Sequence, residues 1–156
     1  VRDMVERGVL MISRIYDVEG LTPIEVASEV SRLLSGHGEN VVNVMDPEEV
    51  VRASERFYVV YAMDDRLDRP QVLGCIAVRV RTGEIRSLVV DRRYRRLGIA
   101  KMMLSYVIEV LRASGIREAQ AFVRAGNDRA LRLFESMGFT IAENLENGFR
   151  LVKRLG

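Results

Sequence analysis

Cysteine, histidine and lysine are nearly missing from this chain of 156 residues: Cys75 and His37 each stand alone, and Lys101 and Lys153 are the only lysines. One thiol excludes an intramolecular disulfide, and one histidine in the Gly-flanked turn Gly36-His37-Gly38 leaves no ligand set for a metal. His37 therefore reads as a surface residue, and no metal is expected. Cys75, inside the run Val72–Val78, reads as a small buried apolar residue, because an acyl-cysteine route needs an adjacent base that the sequence does not show. Long apolar runs are also absent, and none approaches the roughly 20 residues of a membrane span. Residues Val1–Arg7 carry both signs of charge without an apolar stretch, unlike a secretory signal. The expectation is a soluble, cytoplasmic protein with no membrane partner. No repeat, low-complexity tract or Pro/Ser-rich linker divides the chain, so residues 1–156 are expected to form a single domain.

What is abundant is arginine, which makes up 22 of the 24 basic residues. The bias fits persistent ion pairs or a G+C-rich genome equally well. A net charge of +2 is too small to argue by itself for a nucleic-acid partner. Hydrophobic patterning predicts a strand over residues 9–16, then a helix to about Leu34 opened by the capping box Thr22-Pro23-Ile24-Glu25. Asp46-Pro47-Glu48-Glu49 opens a second helix, to about Arg56, by the same logic. Strands follow at Phe57–Met63, Val72–Val80 and Glu84–Val90, the last two joined by a tight Thr82-Gly83 turn. Then the period changes. Ile99, Met102, Met103, Tyr106, Val107, Val110 and Leu111 recur at helical spacing and stop at Ser114-Gly115. A strand at Glu118–Val123, a helix from Asn127 to Met137, and strands at Phe139–Ala142 and Phe149–Arg154 complete the pattern. The order β-α-α-β-β-β-α-β-α-β-β predicts an α/β (α+β) fold with a mixed sheet of about seven strands flanked by about four helices.

The stretch Arg95-Arg96-Leu97-Gly98-Ile99-Ala100 lies where the strands stop and the strongest helix begins. A helix start offers backbone N–H groups with no intrahelical partner and a partial positive charge, which together attract anions. Gly98 removes the side chain that would block a phosphate, and Arg95 and Arg96 supply charge at the rim. The pattern is neither a P-loop nor a dinucleotide-binding fingerprint, since it holds a single glycine. Taken alone, Arg92-Arg93-Tyr94-Arg95-Arg96 reads equally as a solvated charge run or a nucleic-acid patch, with Gly98 merely ending a loop.

Spacing adds a second motif: Asn127, Ala130, Leu133, Phe134, Gly138 and Phe139 follow one strand later. With Arg95, Gly98 and Ala100, these residues resemble the GNAT superfamily of acyl-CoA-dependent N-acyltransferases, whose motifs read [QR]-x-x-G-x-[GA] and N-x-x-A-x-x-[LF]-[YF]-x-x-x-G-F. The resemblance is sharp over residues 84–139. It implies acetyl-CoA as cofactor and an amine as acceptor. It also implies that the main chain of Leu88, Val89 and Val90 meets the pantetheine, with the N–H of Val90 serving the oxyanion. The loop Arg95, Arg96, Leu97, Gly98, Ile99, Ala100 and Lys101 would hold the diphosphate. Asn127, Ala130 and Phe134 would contact the cofactor from the second motif. Glu84 would be the general base, facing as Arg86, Leu88 and Val90 do if side chains alternate strictly. The rival account pairs a turn-flanking Glu84 with Arg79 or Arg81. Many members carry tyrosine where this chain has Phe134, so the thiolate would leave without that donor, at a cost of about 2 kcal/mol in protonation driving force; water or Tyr94 could serve instead, although Tyr94 reads more simply as a loop aromatic packed on its neighbours.

Tyr94–Ala100 and Val123–Asn127 look like the branch that acetylates protein amino termini, ribosomal proteins included. Two departures mark this chain: Phe122 where that branch usually has glutamate, and a short connection at Asn144–Gly148 where it has a long loop. The expected function is an N-acetyltransferase acting by direct attack in a ternary complex on a protein α-amino group or lysine. The alternatives are a small-molecule or polyamine acetyltransferase and a non-catalytic acyl-CoA-binding module. Nucleic-acid binding is the remaining class, and it predicts affinity that falls steeply with salt. The sequence leaves an oligomer open.

Overall fold

The computed structural model describes residues 10–36, 44–63 and 68–156; His37 lies outside them. Its elements follow the predicted order: β1 (Leu10–Arg14), α1 (Pro23–Ser35), α2 (Pro47–Arg52), β2 (Phe57–Ala62), β3 (Gln71–Arg79), β4 (Glu84–Val90), α3 (Ile99–Ala113), β5 (Glu118–Arg124), α4 (Asp128–Ser136), β6 (Thr140–Leu145) and β7 (Gly148–Arg154). Among the described residues the strands form one mixed seven-stranded sheet in the order β1-β2-β3-β4-β5-β7-β6, accompanied by four helices. Only β4 and β5 among the registered pairs run parallel, joined through Glu84–Gln120 and Ile85–Ala121. A parallel neighbour needs a crossover, and α3 provides it.

Three boundaries differ from expectation by two residues or more; the first strand stops at Arg14, because residues 15–17 tighten into a 3₁₀ turn. The second helix ends at Arg52 rather than Arg56, because residues 54–56 tighten into a 3₁₀ turn closed by Arg56 N–H on the carbonyl of Ala53 at 2.9 Å. The sixth strand runs on to Leu145, drawn out along β7 by pairing as far as Leu145–Gly148.

The chain divides into two compact units, Val1–Ala77 with Ser87–Met103, and Val78–Arg86 with Leu104–Gly156. In the first, α1 starts from a complete capping box: the Thr22 hydroxyl accepts from Glu25 N–H, and the Glu25 carboxylate accepts from Thr22 N–H. Its apolar face, Val26, Ala27, Val30, Leu33 and Leu34, is wholly buried against Phe57, Val59 and Tyr61 of β2, with Val72, Cys75 and Val89. Burying each such large side chain contributes about 1.5–3 kcal/mol. Gly74 lets the backbone of β3 approach that of β4 and the side chain of Met103: a Cβ there would stand 2.9 Å from the Val89 carbonyl oxygen and 3.0 Å from Met103 Cε.

In the second unit β5 alternates, with Ala119, Ala121 and Val123 buried and Gln120 and Phe122 half-exposed. Phe134 of α4 meets Phe139 edge to face, ring centroids 5.1 Å apart. The β6–β7 connection is the two-residue turn Glu146-Asn147, as short as the sequence indicated.

Candidate active site

β4 leads directly to the candidate phosphate loop, and the stretch Ser87–Met103 that holds the end of the strand and the loop lies within the first unit. Val89 is buried in the core, while Leu88 and Val90 are half-exposed. Asp91 then caps a 3₁₀ turn, Arg92–Tyr94, by accepting from Arg93 N–H at 3.0 Å. Arg95 leaves the turn extended, and two left-handed residues follow, Arg96 at φ 65° and Gly98 at φ 81°. Alternation of this kind curls a chain so that successive N–H groups line a concavity suited to anions. The first bond of α3 runs from Met102 N–H to Gly98 O at 3.0 Å, so the N–H groups of Ile99, Ala100 and Lys101 precede it and have no intrahelical acceptor. A Cβ built at Gly98 meets no atom within 4 Å, so the chain is open on that side. Ile99, 2% exposed, anchors the helix start, while Arg96 and Lys101 are exposed and Leu97 and Ala100 half-buried. The donor set, open flank and cationic rim fit a diphosphate.

Asp91 carries the electrostatics here and was not singled out from sequence. Burial by itself would raise its carboxyl, but the hydrogen bonds and charge of Arg93, with the charge of Arg32, outweigh that and hold it below the ordinary carboxylate range. Arg93 is therefore committed to Asp91, bonding it at 3.2 and 3.0 Å, and its guanidinium lies 5.2 Å over the Tyr94 ring. An Asp two residues before an Arg is a local signal for such a turn; the second partner, Arg32, lies 59 residues away and leaves none.

The second unit holds Glu84, Asn127, Ala130 and Phe134. The Glu84 carboxylate is paired with Arg86, not with Arg79 or Arg81. Ser87, at φ 54°, interrupts the extended backbone of β4, so strict alternation cannot be carried across it. The parity that aligned Glu84 with Val90 therefore does not pass Ser87. Asn127 caps α4, its Oδ1 accepting from Ala130 N–H at 3.2 Å, which leaves its amide nitrogen for other use. Phe134 is 5% exposed. Cys75 is fully buried, and burial pushes its thiol up to about 12, so it is no nucleophile near neutral pH. Among the described residues no group of His, Cys, Asp and Glu could hold a metal, and no helix is long and apolar enough to cross a membrane.

The family model described as Acetyltransferase (GNAT) family matches residues 29–139, across both units. An uncharacterised N-acetyltransferase of Chlorobaculum tepidum is 30% identical over 117 residues, 72% of this chain and 68% of that protein. The ribosomal protein bS18-alanine N-acetyltransferase of Salmonella typhimurium is 31% identical over 75 residues; the match covers 48% of this chain and about half, 51%, of that enzyme's length. In shape, N-acetylglutamate synthase of Neisseria gonorrhoeae, solved with coenzyme A and N-acetyl-glutamate, superposes with a TM-score of 0.71 at 18% identity, covering 94% of this chain and 35% of that one. The chain belongs to the GNAT family and is an acetyltransferase, of the class that takes its acetyl group from acetyl-CoA.

Proposed function

We propose that this acetyltransferase acts on a primary amine of a protein, an α-amino group or a lysine side chain, in the cytoplasm. The observation that carries the cofactor half of the reading is the glycine-entered start of α3, with Gly98 open and three first-turn N–H groups ahead of the first helical bond. The loop from Arg95 through Lys101 binds the diphosphate, and the half-exposed main chain of Leu88–Val90 aligns the pantetheine. Acetyl-CoA supplies an acetyl group already activated as a thioester. Val90 N–H donates to the carbonyl oxygen as charge grows on it, a form of stabilisation that acts most strongly in the transition state. Glu84 exchanges Arg86 for the incoming ammonium and takes its proton, leaving a nucleophilic amine. Asn127 and Ala130 steady the cofactor from the start of α4, and Phe134 gives its sulfur an apolar neighbour.

The two-residue Glu146-Asn147 turn departs from the long loop of the branch that acetylates protein amino termini, and the open edge it leaves suits a lysine side chain on a protein surface and a small amine equally well. Similarity to the bS18-alanine N-acetyltransferase supports a protein acceptor. The test is release of free CoA thiol with labelled acetyl-CoA against peptides, polyamines and amino acids, with products read by mass spectrometry. Peptide acetylation at an amino terminus or lysine is expected. Turnover only with free amino acids or polyamines overturns the acceptor assignment and leaves the cofactor site standing.

A further inference from the structure

Asp91 is the one buried charged side chain among the described residues, with 4% of its surface exposed. A buried ion pair is weak evidence for stability, because desolvating its charges offsets their attraction. Its partners point to geometry instead. Oδ1 accepts from Arg93 N–H at 3.0 Å and from Arg93 Nε at 3.2 Å, while Oδ2 accepts from Arg93 Nη2 at 3.0 Å and Arg32 Nη2 at 3.3 Å. The Asp91 N–H donates to Leu73 O at 2.8 Å. One residue thus joins β3, α1 and the turn Arg92–Tyr94, all in the first unit. Arg32 is itself braced by Glu29 at 3.1 Å. From this junction only residues 92–98 lead to α3, and two of them, Arg96 and Gly98, hold left-handed backbone, which a shifted anchor would disturb.

We propose that Asp91, gripped by Arg93 and Arg32, is a positioning residue for coenzyme binding: it sets where the loop begins and so where the first-turn N–H groups of α3 stand. Bidentate arginine suits that task, because its planar fork fixes direction as well as distance. The side chains of Arg32 and Arg93 are 46% and 59% exposed, so replacing either disturbs little packing.

The inference rests on the cofactor reading above, and the experiment separates the two. In Asp91→Asn, the Kd of coenzyme A by calorimetry and the KM for acetyl-CoA should rise about tenfold, while kcat per folded molecule stays within about twofold and the acceptor KM is unchanged. Asp91→Glu should recover part of the loss. Arg32→Gln, which keeps the Arg93 contacts and serves if the Asn variant fails to fold, should raise both constants about threefold, and the double variant should show less than the product, since both act through one contact. A lower melting temperature with unchanged Kd and KM in folded variants overturns the proposal, as does a loss confined to kcat. Wild-type protein that gives no heat with coenzyme A overturns the cofactor reading itself, in the first titration.

Discussion

Among the described residues, three of four helices begin with a side chain turned onto their own first turn: Thr22 caps α1, Asp46 caps α2 and Asn127 caps α4. The fourth, α3, is entered through Gly98, which has no side chain to offer. The contrast separates two uses of the same physics. A capped start satisfies its own orphan donors and stabilises the fold by about 1 kcal/mol; a glycine start gives that up and keeps its donors for something from outside. α3 can do without the cap because its packing holds it, with Ile99, Met103, Leu104, Val107 and Leu111 buried along one face.

Giving α3 a side chain at its entry should break the contrast most sharply. Gly98→Glu places bulk and negative charge where the phosphates would lie, and coenzyme A affinity should fall at least about a hundredfold, roughly 2.7 kcal/mol. Because the residue sits at φ 81°, Gly98→Asn is the companion, asparagine tolerating left-handed backbone. A smaller loss with Asn than with Glu assigns the effect to the phosphate site, and equal losses assign it to the backbone. Glu84→Gln should leave coenzyme A binding alone and lower kcat about a hundredfold, more at low pH, where fewer acceptor amines are free. Equal turnover in the two proteins would remove Glu84 as base and leave its pairing with Arg86 a surface contact.

Wherever one residue's chemistry dictates local structure, the sequence could be read. Pro23 and Pro47 behind their capping residues marked two helix starts, and the spacing from Ile99 to Leu111 marked α3. Contacts set by tertiary register could not be read. Ser87 carries no signal for left-handed backbone, yet its φ of 54° interrupts the alternation on which the facing of Glu84 depended. Arg86 rather than Arg79 or Arg81 pairs Glu84 because residues two apart on a strand share a face, while the others lie across the turn. Glu143 and Asn144 do not look like strand residues, but β7 recruits them, and the Arg150 Nε donating to Glu143 at 3.1 Å shows what the exposed face gains.

Gly74→Ala probes the contrast from the packing side. Its Cβ would press on the Val89 carbonyl and Met103 Cε, backbone on one side and a flexible thioether tip on the other. Met103 can yield and Val89 cannot, so a loss of about 1–3 kcal/mol in urea unfolding is expected, together with weaker coenzyme A binding as β4 shifts. An alanine variant of wild-type stability would show that β4 has room to move.

The smallest effects come from comparing caps directly. Thr22→Ala should cost about 1 kcal/mol by denaturant unfolding and leave the KM for acetyl-CoA unchanged, whereas Asn127→Ala should cost a similar amount and raise that KM, since its amide is proposed to serve both helix and cofactor. The Thr22 cap also has a pH signature. Hydrogen bonds from the Thr22 N–H and hydroxyl, with the charge of Arg69 adding to them, hold the Glu25 carboxyl below its ordinary value against the opposing effect of desolvation. A carboxyl lowered in the folded state adds stability that is present above its unfolded pKa of about 4.3 and fades as pH falls through the lower folded value. The melting temperature of wild-type protein should therefore fall more steeply than that of Thr22→Ala between about pH 5 and 3, the curves drawing closer while the bond from Glu25 N–H to the Thr22 hydroxyl, which does not titrate, keeps wild type the more stable. Parallel curves would mean that the Thr22 hydroxyl adds nothing to the ionised Glu25 carboxylate, and the lowering would then rest on the Thr22 N–H that both proteins keep.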